Sequence, residues 1–174
     1  MKTEKFILMG GSASGKDYLL KGLIEKGERY SPKLTTRPMR QGETQGVEYQ
    51  FTNNDEFLEL LNNNQIKYYQ KFVINGVDWY YGVTTENFYN NNIFIMTPHE
   101  LSQLSAEDRK GCFVVWLAID DNIRRQRLLE RNDNNDSIER RIAADNEDFK
   151  DFTDYDMKLT DDEFEVDLVY DFAV

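Results

Sequence analysis

Cysteine, histidine, proline and positive charge are all scarce in this chain, and each shortage narrows what it does. Of 174 residues one is cysteine, Cys112, so no internal disulfide forms and the composition fits a reducing compartment. The one histidine, His99, leaves no Cys/His cluster with the spacing of a zinc site, and it reads as structural. Three prolines and ten glycines are too few for a linker, and no internal repeat is present, so one compact unit is expected. Lysine and arginine number 21 against 32 aspartates and glutamates, a formal charge of -11. That balance argues against nucleic acid or an acidic membrane as partner, because both require a basic face. A phosphorylated small molecule stays open, since a few arginines suffice to hold one. No apolar run reaches the length of a signal-peptide core or a membrane span, so a cytoplasmic protein is expected. What is present is apolar content of 40% with 13% aromatics, enough to bury a core in a chain of this length.

The order of patterns predicts an α/β fold. Lys5 to Met9 is a short apolar run, a glycine-rich turn follows, and Asp17 to Lys26 carries apolar residues at helical spacing. Residues 31 to 52 are polar and turn-rich, and 54 to 61 read as a capped helix. Ile66 to Ile74 and Val77 to Val83 flank Asn75-Gly76, a strong hairpin signal. Ile93 to Met96 and Cys112 to Ile119 read as buried parallel strands. Residues 121 to 131 and 136 to 152 read as charged helices divided by Asn132 to Asn135, and Met157 to Thr160 as a last strand. The tail from Phe164 to Val174 fits helix or strand, and the acids from Asp161 to Asp171 read as solvated surface. Alternating strands and helices imply a parallel sheet with right-handed crossovers. The hairpin-rich stretch breaks that rhythm and reads as an inserted substrate-binding subdomain.

Gly10-Gly11-Ser12-Ala13-Ser14-Gly15-Lys16-Asp17 matches G-x-x-x-x-G-K between a predicted strand and a predicted helix. In that context the glycines let backbone N–H groups wrap the phosphates of ATP, and the helix start adds positive potential. Lys16 then reaches the β- and γ-phosphates as a point charge. Asp17 stands where a hydroxyl residue is usual. A carboxylate is a hard ligand suited to Mg²⁺, which makes Asp17 the candidate metal ligand.

Thr35-Thr36-Arg37-Pro38-Met39-Arg40-Gln41-Gly42-Glu43, with Gly46-Val47-Glu48-Tyr49-Gln50-Phe51 just after, resembles the monophosphate site of the guanylate kinase family. Tyr80-Tyr81-Gly82 resembles that family's hairpin, and Arg127 to Arg131 with Ser137 to Arg141 its lid. The order of these segments holds over nearly the whole chain. The resemblance implies the P-loop NTPase three-layer fold: a parallel central sheet, an inserted β-rich monophosphate-binding subdomain and a helical lid. It divides the chain into a core (1–30, 84–125 and 153–174), an acceptor-binding insertion (31–83) and a lid (126–152). It implies ATP and Mg²⁺ as cofactors, small nucleotides as partners, and a monomer or homodimer. Arg37, Arg40, Tyr49 and Tyr81 would grip the acceptor's phosphate with Glu43 bracing the arginines, and Arg131 and Arg141 would close over the transferring group. Lys16, Arg37, Arg131 and Arg141 are then the catalytic set. Taken singly, Arg124, Arg125, Arg127, Arg140 and Arg141 read as solvated helix faces paired with nearby acids.

Departures concentrate in the base pocket. The family reads guanine with a serine, a glutamate and a small hydroxyl residue, and counting without gaps puts Lys33, Tyr68 and Val83 at those positions. Gln70 lies two residues beyond Tyr68 on the same strand face and offers both a donor and an acceptor. Lys33, Tyr68 and Gln70 are therefore candidate linings of a changed pocket, with Tyr68 stacking on a base. The family also has an acid directly after the strand that here ends at Met96, whereas Thr97-Pro98-His99-Glu100 follows in this chain. With Asp17 in the loop, this suggests that the metal-organising acid has moved. A related family acting on ribose 1,5-bisphosphate shares G-K-D in the loop, so a sugar-phosphate kinase stays open beside a nucleoside monophosphate kinase. A catalytically dead binding module is the third reading.

Overall fold

The computed structural model describes residues 3–132 and 137–174. The sequence-predicted break at Asn132 to Asn135, and the predicted start of the following helix at residue 136, fall mostly outside the described residues.

Strand β1 (Lys5–Gly10) is the centre of the molecule. It pairs in parallel with β6 (Ile93–Ile95) on one side and β7 (Cys112–Leu117) on the other, and β8 (Met157–Leu159) extends the sheet in the order β6-β1-β7-β8. Alternation along β1 sends its side chains to opposite faces. Phe6 and Leu8 pack with Leu19 and Leu23 of α1 (Lys16–Glu25) and with Val169 and Ala173 of α8 (Val166–Ala173). Ile7 and Met9 pack with Phe88 of α3 (Thr85–Asn90), Leu101 of α4 (Pro98–Leu101), and Tyr68 and Val83 of a second sheet. Ile7, Leu8 and Met9 are fully buried, and each such side chain contributes roughly 1.5–3 kcal/mol. A strand covered on both faces has no need of polar alternation, which is why KFILM reads as a continuous apolar run.

The second sheet has the order β3-β2-β5-β4, from β2 (Leu34–Thr35), β3 (Gln50–Phe51), β4 (Ile66–Ile74) and β5 (Val77–Thr84), with α2 (Asn54–Asn62) burying Phe57 beside it. Asn75 and Gly76 turn the β4–β5 hairpin at φ 51° and 76°, the left-handed pair that a two-residue turn of matching twist requires. The parallel sheet and the hairpin were thus both legible. The short helices α3, α4 and α5 (Ala106–Lys110) were not predicted. Each is capped by a threonine or serine side chain, Thr84, Thr97 and Ser105, but four to six residues are too few to show helical periodicity. The ambiguous tail resolves as the amphipathic helix α8.

Helices α6 (Asp121–Glu130) and α7 (Ile138–Phe149) follow β7. Trp116 of β7 stacks on Phe149 at 5.6 Å and meets Phe152 and Tyr155. This aromatic group fixes the last turn of α7 to the sheet and so directs the helix back across the end of β1.

Candidate functional site

The loop from Gly10 to Gly15 joins the central strand to the start of α1. Gly15 has φ 102° and a Cβ there would meet the Phe164 ring at 3.3 Å, so both backbone and neighbour call for glycine. Ala13, at φ 58°, holds a left-handed conformation that costs a non-glycine residue about 1 kcal/mol or more. The Lys16 ammonium donates to the carbonyls of Gly10 at 2.6 Å and Gly11 at 2.8 Å. Burial pulls its pKa down to about 8, partly countered by Asp145 and Asp17.

Two arginines of α6 clamp this loop, and both had been read from the sequence as solvated. Arg124 is 4% exposed. Its Nε donates to the Ser12 carbonyl at 3.0 Å, and its Nη2 donates to Asp145 Oδ2 at 2.8 Å. The same carboxylate oxygen accepts the Ser12 N–H at 2.8 Å, so α6 and α7 hold one loop residue by both its peptide groups. Arg127 donates to the Ala13 carbonyl at 3.1 Å and to Asp162 at 3.4 Å. The available signal was spacing: Arg124, Arg127 and the buried Leu128 share one helical face. Arg125 behaves as the sequence suggested, pairing with Glu139 at 2.5 Å on the surface. A Cβ on Gly11 would lie 2.6 Å from the Arg124 guanidinium. Gly11→Ala is therefore expected to push Arg124 off Ser12, costing roughly 1–3 kcal/mol of stability and weakening ATP binding several-fold. Thermal denaturation and ATP titration check this, and wild-type values in both would show that the clamp is slack.

A cavity of about 630 Å³ opens over the loop, lined by Ser14, Lys16, Asp17, Arg127 and Arg131 together with Asp162 to Glu165. The tail acids expected to be mere surface thus form one of its walls. Arg131 reaches this cavity as the sequence suggested. Arg141, half-buried on α7, lines neither this cavity nor the next.

Across α1 lies a second group. Thr35 and Thr36 zip onto β5: Thr35 Oγ1 donates to the Tyr80 carbonyl at 3.0 Å, and the Tyr80 N–H donates to Thr36 Oγ1 at 2.9 Å. Arg37 follows directly and is 4% exposed. Its two terminal nitrogens donate to the Glu43 carboxylate at 3.0 and 2.7 Å. The guanidinium lies 5.2 Å from the Tyr49 ring centroid, and Tyr49 meets Tyr81 edge-on at 5.6 Å. Glu43 also accepts the Arg40 N–H at 2.7 Å. The Arg37 hydrogen bond holds Glu43 down to about 2. The structure therefore brings Arg37, Glu43, Tyr49 and Tyr81 together, with the Arg40 side chain exposed beside them.

Tyr49 also lines a cavity of about 380 Å³, with Tyr30, Lys33, Tyr68, Val83 and Asp17. Lys33, Tyr68 and Val83, picked out from the sequence by counting, converge here. Lys33 donates to both oxygens of Glu100 at 2.8 and 2.7 Å, and Glu100 is 1% exposed. Glu100 in turn closes a capping box with Thr97. Gln70 lies elsewhere: its carbonyl oxygen accepts the Thr97 hydroxyl at 3.0 Å, and it is not part of the cavity wall. Tyr68 is 1% exposed and edges onto Phe88, so its ring serves as core.

Among the described residues, two buried side-chain polar atoms have no partner, Ser14 Oγ and the Tyr68 hydroxyl. One borders each cavity. A buried hydroxyl without a partner costs about 1–3 kcal/mol, which a polar ligand atom relieves. Asp17 lines both cavities and is exposed. A hard carboxylate at such a junction fits Mg²⁺, which takes one or two carboxylates and completes its shell with phosphate oxygens and water. No cluster of three acids, histidines or cysteines competes for a metal among the described residues, and none of their helices is long and apolar enough to cross a membrane.

Comparison with known proteins shows the family and the fold. The family model described as guanylate kinase matches residues 2–169. The chain is 27% identical over 179 residues to the guanylate kinase of Vibrio cholerae, covering 97% of this chain and 84% of that one. It is 30% identical over 171 residues to the guanylate kinase of Rickettsia felis, covering 93% and 87%. The crystal structure of guanylate kinase from Anaplasma phagocytophilum superposes with a TM-score of 0.67 over 98% of this chain and 84% of that one, at 19% identity.

Proposed function

Because this chain belongs to the guanylate kinase family and is a nucleoside monophosphate kinase, we propose that it transfers the γ-phosphoryl group of ATP to a nucleoside monophosphate across the junction marked by Asp17. The observation that carries this reading is that one residue at the start of α1 borders both cavities. ATP occupies the larger cavity, with its phosphates on the loop N–H groups and on Lys16. The monophosphate occupies the smaller one, its phosphate held by Arg37, Arg40, Tyr49 and Tyr81 with Glu43 bracing the fork. GMP or dGMP is the acceptor that the relatives suggest.

An anionic oxygen of the acceptor phosphate attacks the γ-phosphorus in line. A P–O bond forms to the acceptor as the β–γ bridge breaks, and ADP leaves with the bridging oxygen. No strong base is needed, because the attacking oxygen already carries charge. The chain's task is placement and charge neutralisation. Lys16 holds the β- and γ-oxygens, Arg131 approaches from the lid side of the donor cavity, and Arg141 joins when the lid closes. Asp17 is the residue that would hold Mg²⁺, and the ion would supply positive charge to offset that of the transferring phosphates. In these terms residues 31–83 act as the acceptor-binding insertion and 126–152 as the lid.

ADP release in the presence of ATP, Mg²⁺ and either a nucleoside monophosphate or ribose 1,5-bisphosphate tests this. Turnover with a monophosphate is expected. Turnover with the sugar bisphosphate alone, or no ATP affinity at all, would overturn the proposal.

A further inference from the structure

The cavity that holds Lys33 and Tyr68 offers guanine no buried carboxylate: besides two exposed acids, its side-chain acceptors are the neutral hydroxyls of Ser31, Tyr30, Tyr49 and Tyr68. Guanine presents a keto oxygen beside two donors, its ring N–H and its 2-amino group. Lys33 has only donors to offer, and it stands in the cavity wall with Glu100 behind it, outside the lining. Both Glu100 oxygens are occupied by that ammonium, and one of them also takes the Thr97 N–H at 2.9 Å. The acids that do line the cavity are Asp17 and Glu48. Both are exposed, Asp17 belongs to the phosphate loop, and the Glu48 carboxylate accepts the Thr44 N–H at 2.8 Å. Tyr68 adds a buried hydroxyl with no partner. Its pKa is raised well above the ordinary phenol value by burial and by the Glu100 charge, so it keeps its proton. Tyr30, pushed up to about 12 by burial, does the same.

We infer that the acceptor base is recognised by a keto oxygen received by the Lys33 ammonium and the Tyr68 hydroxyl, and that guanine's 2-amino group is not read. This rests on the kinase reading above and narrows its substrate class to monophosphates of keto bases. These are the 6-oxopurines with or without a 2-amino group, and the dioxopyrimidines uracil and thymine. Adenine places an amino group where the keto oxygen is wanted, and donor faces donor. A binding site built on one shared oxygen loses the discrimination that a dedicated carboxylate supplies, which in hydrogen-bond-reading sites reaches about 10⁴-fold. Gln70 and Thr97 act one step further out: the Gln70 carbonyl orients the Thr97 hydroxyl, and Thr97 fixes the turn that presents Glu100 to Lys33.

The experiment is kcat/KM for GMP, IMP, UMP, dTMP and AMP with the intact chain and ATP·Mg²⁺. GMP and IMP differ only in the 2-amino group and are expected to agree within about threefold, with UMP or dTMP within about tenfold and AMP at least 10²-fold lower. A 10²-fold or greater preference for GMP over IMP would overturn the inference while leaving the kinase reading intact. No ADP release with any monophosphate would overturn both. Tyr68→Phe keeps the ring in the core and removes only the hydroxyl. It is expected to raise the KM for keto monophosphates about tenfold with the KM for ATP unchanged. An unchanged acceptor KM in a folded variant would remove Tyr68 from the recognition.

Discussion

Replacing Lys16 by methionine is expected to lower kcat by about 10³-fold or more while the protein stays folded. The ammonium's protein partners are two carbonyls of its own loop, Gly10 and Gly11, and both lie on a segment also held by Arg124 and Arg127. A methionine of similar length fills the space without leaving a buried charge behind. What disappears is a positive charge beside the transferring phosphoryl group, and there low local dielectric makes one charge worth several kcal/mol. A pH profile gives the same residue a second readout. In the free protein Lys16 titrates at about 8, and phosphate binding raises that value because it favours the charged form. Affinity for ATP is therefore fully present below pH 8 and declines above it until the pKa of the complex is passed. kcat/KM for ATP in the wild type should bend downward near pH 8, and the variant should lack that bend. A Lys16→Met protein with wild-type kcat would place the transferring phosphate elsewhere.

The second large effect is expected on the acceptor side. Arg37 cannot be removed cleanly alone, because Glu43 would be left with a carboxylate whose pKa of about 2 depends on that guanidinium. Substituting both, Arg37→Met with Glu43→Gln, leaves no orphaned charge. The double variant loses a bidentate fork, and charge-assisted hydrogen bonds contribute roughly 1.5–3 kcal/mol each. kcat/KM for the acceptor should fall about 10²- to 10³-fold with the KM for ATP unchanged. Stability should also change its acid dependence. A carboxylate held below its unfolded pKa stabilises above that value and loses the contribution as pH falls from about 4.5 toward 2. The wild type should therefore carry an acid-side slope in that window that the double variant lacks. An unchanged acceptor KM would separate Arg37 from the phosphate.

How much of this was readable beforehand varied with the reach of the pattern. The phosphate loop was legible because its chemistry is local: Gly15 and Lys16 sit at a strand-to-helix junction, and eight residues state the whole device. The cluster of Arg37, Glu43, Tyr49 and Tyr81 came into view through resemblance, since Thr35 and Thr36 find their partners only when β5 is beside them. Arg124 was not legible. Its charge suggested solvent, and only the return of α7, aimed by Trp116 against Phe149, supplies Asp145 to receive it. Gln70, expected in the cavity wall from strand alternation, instead meets Thr97, a partner 27 residues away. Lys33 was found by counting, yet its pairing with Glu100 depends on a capped helix, Pro98–Leu101, too short to show a period. Long-range ion pairs leave no trace in local sequence, and here they shape both the loop and the cavity beside Lys33.

Binding of a compound that joins adenosine to guanosine through a bridge of phosphates tests the shared junction at Asp17 most directly. If the two cavities face one another there, the compound spans both, binds at least about 10²-fold more tightly than ATP, and is displaced by ATP and by the monophosphate alike. An affinity no better than that of ATP, with displacement by ATP alone, would show that the cavities do not act as one cleft.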